Sequence, residues 1–319
     1  MIEIGYYYMA RGNFTMKAKS KLGNFNKFLA VLLVIAIIVL VLVVTVVSPG
    51  NAYEAAPTDA DASASSIEPF VEGTYGGIEF NTVEDVVNYY VECYNYTKSL
   101  TAQYNDNGTT ATYYKLLGLE SITIENLLVE GQSNSIIDNL VPTILDSLFT
   151  PNLKGLPPCG NISPEADTVG DGINVNTSLL TAEDVEAANV VDNGDGTINI
   201  TIQPKGVVLS MPGEDAQGHF FNTLGDITST VESISVLSFS SGTIADNFVV
   251  DYSGGTGTVT IDTATGEILS GEYTMLVHID VSHANVSVIT DKSASLDIVY
   301  KNTFPATDEQ LTEKGIALA

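Results

Sequence analysis

The chain has no tryptophan, a single arginine (Arg11), two cysteines and three histidines. Each scarcity closes off some chemistry. Beyond residue 11 there is no guanidinium for bidentate recognition of carboxylate or phosphate. Any stacking platform for sugars would have to rest on tyrosine, of which there are 15. Cys93 and Cys159 form no CxxC pair, and neither stands behind an apolar leader as a lipid-attachment cysteine would. In an oxidising compartment the two can form a disulfide, which would stabilise the fold by roughly 4 kcal/mol in the chain-entropy picture; two spare thiols are the alternative.

Positive charge is scarce throughout. Lys and Arg number 12 against 39 Asp and Glu. Five of the bases precede residue 28, so the remainder holds 7 bases against 38 acids, a net charge of about −31. Phosphate backbones are bound through lysine and arginine contacts, so nucleic acid is excluded as a partner. The composition is nevertheless 45% hydrophobic, enough for a sizeable core.

One stretch lacks charge altogether. Phe28 to Val47 reads FLAVLLVIAIIVLVLVVTVV, 20 residues whose one polar group is the Thr45 hydroxyl. At about 1.5 Å per residue a helix of this length covers the roughly 30 Å hydrocarbon core. Arg11, Lys17, Lys19, Lys21 and Lys27 precede it, whereas Glu54, Asp59 and Asp61 follow it. By the positive-inside rule the N-terminus stays in the cytoplasm and the remainder is translocated. The sequence therefore predicts a cytoplasmic basic segment over 1–27, a signal-anchor helix over 28–47 and a flexible Ala, Ser, Asp and Pro stalk over 48–69. An acidic extracytoplasmic domain follows over 70–319. Gly50 and Ala52 offer a cleavage site, so secretion after cutting near Ala52 is the alternative. Met16 opens a more ordinary basic leader than Met1 does, and is an alternative start.

Periodicity maps the rest. Asn81 as N-cap and Glu84 at N3 open a helix with Val83, Val86, Val87, Tyr90, Val91 and Tyr94 on one face. Further helices are expected over 133–149 (kinked at Pro142), from the Thr181/Asp184 capping box over 181–189, over 218–234, and from Thr307 with Gln310. A turn and a short strand are expected within 104–116, and another strand over 121–131. A hairpin with alternating Ile198, Ile200 and Ile202 follows, and then a long meander carrying Val259, Ile261, Tyr273, Met275, Val277, Ile279, Val281, Leu296, Ile298 and Tyr300. Residues 152–180 read as a long loop or a seam. The expected fold class is α+β: a curved antiparallel meander covered by amphipathic helices and preceded by one transmembrane helix.

No chemical motif stands out. From Asp192 the loop DNGDG lacks the oxygen ligands an EF-hand needs at its third, fifth and twelfth positions, and it reads as a tight turn. His278 and His283 are five apart on one strand, which strict alternation sends to opposite faces; His278 shares its face with Asp280. HExxH, GxSxG and SxxK are absent. No catalytic residue, metal ligand or cofactor is assigned. The expected function is that of a non-enzymatic envelope protein binding an apolar ligand, held between sheet and helices, or a protein partner. A structural or adhesive module is the first alternative and a hydrolase using paired carboxylates the second.

Overall fold

The computed structural model describes residues 67–132, 152–169, 172–223, 225, 237–286 and 289–318. The expected membrane segment 28–47, almost all of the stalk and the helix at 133–149 lie outside these residues. Among the described residues no helix is long and apolar enough to cross a membrane.

The chain opens with a two-stranded ribbon of β1 (Gly73–Tyr75) and β2 (Ile78–Phe80), then enters α1 (Val83–Ser99). The cap of α1 lies one residue later than the sequence suggested. Thr82 is the N-cap, with its hydroxyl accepting from Asp85 N (3.1 Å), while the Asp85 carboxylate accepts from the amides of both Asn81 and Thr82 (2.9 Å each). Because Asp85 satisfies two of the orphan donors at the helix entrance, it displaces Glu84 from that role. Val86, Val87, Tyr90, Cys93 and Tyr94 form the buried face, as 3.6-residue spacing requires. Each buried valine contributes about 1.5–3 kcal/mol.

A hairpin follows, β3 (Thr101–Asp106) and β4 (Thr109–Tyr114), turning through Asn107 and Gly108, both at positive φ. Then come β5 (Gly118–Val129), β6 (Leu153–Lys154), β7 (Val185–Asp192), β8 (Thr197–Pro204), β9 (Val207–Val208) and β10 (Leu237–Phe239). The one-turn helix α2 (Ile244–Asn247) leads into β11 (Phe248–Tyr252), β12 (Thr256–Asp262), β13 (Ile268–Val286) and β14 (Ile289–Phe304). The chain closes with α3 (Asp308–Glu313) and β15 (Ile316–Leu318).

One antiparallel sheet dominates, in the order β6-β5-β14-β13-β12-β8-β7. The 19-residue β13 is its spine. One edge of β13 pairs with β14 along its length; the other is shared by β12, then β11, then β10. Alternation sends Tyr273, Met275, Val277, Ile279 and Val281 inward with Leu296, Ile298 and Tyr300 of β14, Val259 and Ile261 of β12, and the three isoleucines of β8. Helix α1 covers this face, and the whole forms one core. A smaller core lies under the sheet β15-β3-β4, where Tyr104, Tyr114, Leu153, Cys159, Leu311 and Ile316 meet.

The α+β expectation is thus corrected to a mostly antiparallel β-fold with few helices. The covering helices fail for specific reasons. The Thr181/Asp184 capping box forms, but only a single 3₁₀ turn (Ala182–Asp184) follows before the chain enters β7. Pairing with β8 and burial of Val185, Ala188 and Val190 override the helical preference of the Ala and Glu there. In the helix expected at 218–234, the part up to Thr223 is a compact turn closed by Gly213 N to Gly218 O (3.1 Å) and Phe221 N to Gln217 O (2.7 Å). Its two phenylalanines plug the core instead of lining a helix.

Candidate functional site

The space between α1 and the sheet is where an apolar ligand was expected. It is packed with aromatic rings. Tyr90 of α1 and Tyr273 of β13 share a hydrogen bond between hydroxyls (2.9 Å), and Phe220 stacks against both, with centroids 5.8 and 5.4 Å away. Phe304 meets Tyr273 edge-on at 6.0 Å. Gly257 permits this closeness, since a Cβ there would run into the rings of Phe220 and Tyr273.

At the C-terminal end of α1 the apolar face gives way to a buried charge. Lys98 Nζ lies 3.1 Å from Asp167 Oδ2, with side-chain exposures of 1% and 0%. The ammonium also donates to Tyr94 Oη and to the Pro158 carbonyl (2.8 Å each). Asp167 accepts from Tyr114 Oη (2.6 Å) and Gly160 N (2.8 Å). Every strong donor and acceptor of the pair is used, as a buried ion pair requires. Tyr94 belongs to the large core and Tyr114 to the small one, so this cluster joins the two. The 152–180 stretch read as a long loop or seam supplies Pro158, Gly160 and Asp167 to it. The sequence did carry a signal for it: Lys98 stands four residues after Tyr94, on the helix's apolar stripe.

Cys93 and Cys159 are both buried free thiols. Burial pushes them up to about 11 and about 12 respectively, so neither is a reactive thiolate at neutral pH.

The solvent face of the sheet carries the remaining candidate. Four neighbouring strands place Glu125 (β5), Asp297 (β14), His278 (β13) and Asp251 (β11) in one cross-strand row. His278 Nδ1 contacts Asp297 Oδ1 at 2.6 Å, and its Nε2 lies 3.3 Å from Asp280 Oδ2. Asn126, at positive φ beside a bulge, donates to the other oxygen of Asp297 (2.7 Å). Partial burial pulls the His278 pKa down, but the hydrogen bond and charge of Asp297 and Asp280 outweigh it and hold the imidazole above its ordinary value. A half-open pocket of about 250 Å³ adjoins this row, walled by Glu125, Ser253, Leu276, His278, Asp297 and Val299. Both imidazole nitrogens face carboxylates and both oxygens of Asp297 hold donors. This is the bonding of a cross-strand ion cluster; a general base or a glycosidase carboxylate would need a free atom facing substrate.

The other histidines are paired likewise, His219 with Asp184 (3.0 Å) and His283 with Asp291 (2.7 Å). A bulge between Val281 and Ala284, with His283 at positive φ, breaks the alternation and leaves His283 exposed to solvent like His278. In DNGDG, Asp192 accepts from the amides of Gly76 and Gly194 (2.8 Å each) and Asp195 from Thr197, so these carboxylates hold turns together. The backbone bonds to Asp192 and the Thr197 bonds to Asp195 lower both carboxyl pKa values. No group of three or more His, Cys, Asp or Glu among the described residues could hold a metal ion.

Comparisons with protein-family models, with curated proteins and with solved structures found no match for this chain.

Proposed function

We propose that the chain is a non-enzymatic envelope protein whose folded part stands outside the cytoplasm and works as a binding module for a protein partner, not as a carrier of an apolar ligand. The observation carrying this reading is the ring-filled interior. Tyr90, Phe220, Tyr273 and Phe304 occupy the volume that a carrier would leave open to its ligand. The solvent face of the sheet supports a protein partner. It combines a ladder of threonines, Thr201 against Thr258 (2.9 Å) and Thr256 opposite Thr274, with the carboxylate row around His278. With about −31 of net charge behind it, such a face favours a partner presenting lysine and arginine.

Location outside the membrane rests on the uncharged run Phe28 to Val47 and the basic residues before it. The carrier question is tested by organic extraction and mass spectrometry of purified protein, with native mass compared to denatured mass. Equal masses and an empty extract are expected. A stoichiometric acyl or sterol species in the extract would overturn the reading.

A further inference from the structure

Five Asn-X-Ser/Thr triplets lie wholly within the described residues, at Asn95, Asn107, Asn161, Asn176 and Asn199. The triplet is the acceptor signature for N-linked sugar and has meaning only in a chain that leaves the cytosol. This inference therefore rests on the proposed location. Attachment needs an Asn amide nitrogen facing solvent, a hydroxyl two residues later that is free to meet the transferase, and room for a bulky sugar. The fold sorts the five by these criteria.

Three fail. Asn199 lies in the middle of β8, its Oδ1 held by Asn193 Nδ2 (3.1 Å) and Thr260 Oγ1 (2.9 Å), and the hydroxyl of its triplet, on Thr201, is bonded to Thr258. Asn161 turns its Nδ2 inward, donating to the Ala166 carbonyl and to Thr168 Oγ1. The triplet of Asn95 ends at Thr97, which is buried and whose hydroxyl accepts from Ile268 N (2.8 Å).

Two pass. Asn107 forms the tip of the β3–β4 hairpin, where Asn107, Gly108 and Thr109 are all exposed; its Nδ2 donates to the neighbouring Asp106 (3.0 Å), and one side of the amide lies over Gly315. Asn176 and Thr177 are exposed in the irregular segment before Thr181; Ser178 behind them is partly exposed, and its hydroxyl accepts from Leu180 N (3.2 Å) but, unlike that of the buried Thr97, keeps its proton open to solvent. We propose that the chain is N-glycosylated at Asn107 and Asn176, and not at Asn95, Asn161 or Asn199. In the transfer, Nδ2 bonds to the anomeric carbon of a lipid-linked oligosaccharide. The bond from that carbon to the lipid phosphate oxygen breaks, the phosphate leaves with the electron pair, and the amide nitrogen gives up one proton. No oxidant or reductant takes part.

The test is peptide mapping by mass spectrometry of the full chain purified from its own cells, alongside protease treatment of intact cells. Sugar mass is expected on the peptides containing Asn107 and Asn176. Asn107→Gln and Asn176→Gln should each remove one increment; Ser178→Ala should abolish the second and Ser178→Thr retain it. If protease reaches the domain from outside and both peptides are unmodified, the glycosylation proposal is wrong and the location stands. Sugar on Asn95, Asn161 or Asn199 contradicts it equally. Unmodified peptides from a domain that protease spares would overturn the location and the glycosylation together.

Discussion

Lys98 and Asp167 are the pair whose loss the fold should feel most. Removing one partner leaves an uncompensated charge in a site with almost no access to water. Lys98→Met is expected to destabilise the domain by about 3–5 kcal/mol in denaturant melts. A double variant that also replaces Asp167 with Leu should cost clearly less than the sum of the two single changes. Simple additivity would show that the two charges do not interact. His278 makes a smaller contribution with a defined pH signature. Its pKa is raised in the folded state, so its stabilisation is complete below the unfolded value near 6.5 and is lost as pH rises through the folded value. The group is nearly half exposed, so the effect is about 0.2–1 kcal/mol. Wild type minus His278→Gln stability should fall between pH 5.5 and pH 9; a difference that rises over that range would contradict the assignment. Asp297 and Asp280 contact this imidazole and favour its charged form, while Asp251 stands opposite it on β11 and Glu125 lies beyond Asp297 on β5.

At the scale of elements, period-two burial was legible and element length was not. The inward rows of β8, β12, β13 and β14 can be read from alternating Ile, Val, Tyr and Thr, because a sheet with one buried face must alternate. What the letters do not carry is that β13 continues through a bulge to 19 residues and serves three short strands in succession. That depends on pairings between segments far apart in the chain. The capping boxes at Thr181 and Thr307 were legible too, whereas that of α1 falls one residue later than expected, and Thr181 and Asp184 show that a box fixes only its own turn. Whether a helix follows was decided by the free edge of β8. The same gap limited the candidate site. His278 and Asp280 could be placed on one face from spacing alone, but Asp297, Asp251 and Glu125 arrive through register. A close approach between elements gives a further test. Gly118 of β5 sits against the Phe304 ring and the Thr303 carbonyl of β14, where a Cβ has no room. Gly118→Ala is expected to cost about 1–3 kcal/mol by overpacking. An unchanged melting midpoint would show that this contact is loose.

Among the described residues of the whole molecule, two cores meet at a buried ion pair, α1 packs on the inner sheet face, and the outer face carries a carboxylate row beside exposed Val249 and Leu276. A fold so arranged presents a surface more readily than it encloses a ligand, which is the basis of the proposed binding role. A large net negative charge keeps a folded chain soluble and attracts groups of opposite sign, in keeping with the proposed basic partner. The proposed location outside the membrane is tested most directly by adding protease to intact cells and following a tag placed after Ala319. Digestion of the tagged domain in intact cells, while a cytosolic marker survives, is predicted. Protection of the tag until the cells are lysed would contradict the location, and the proposed envelope role would go with it.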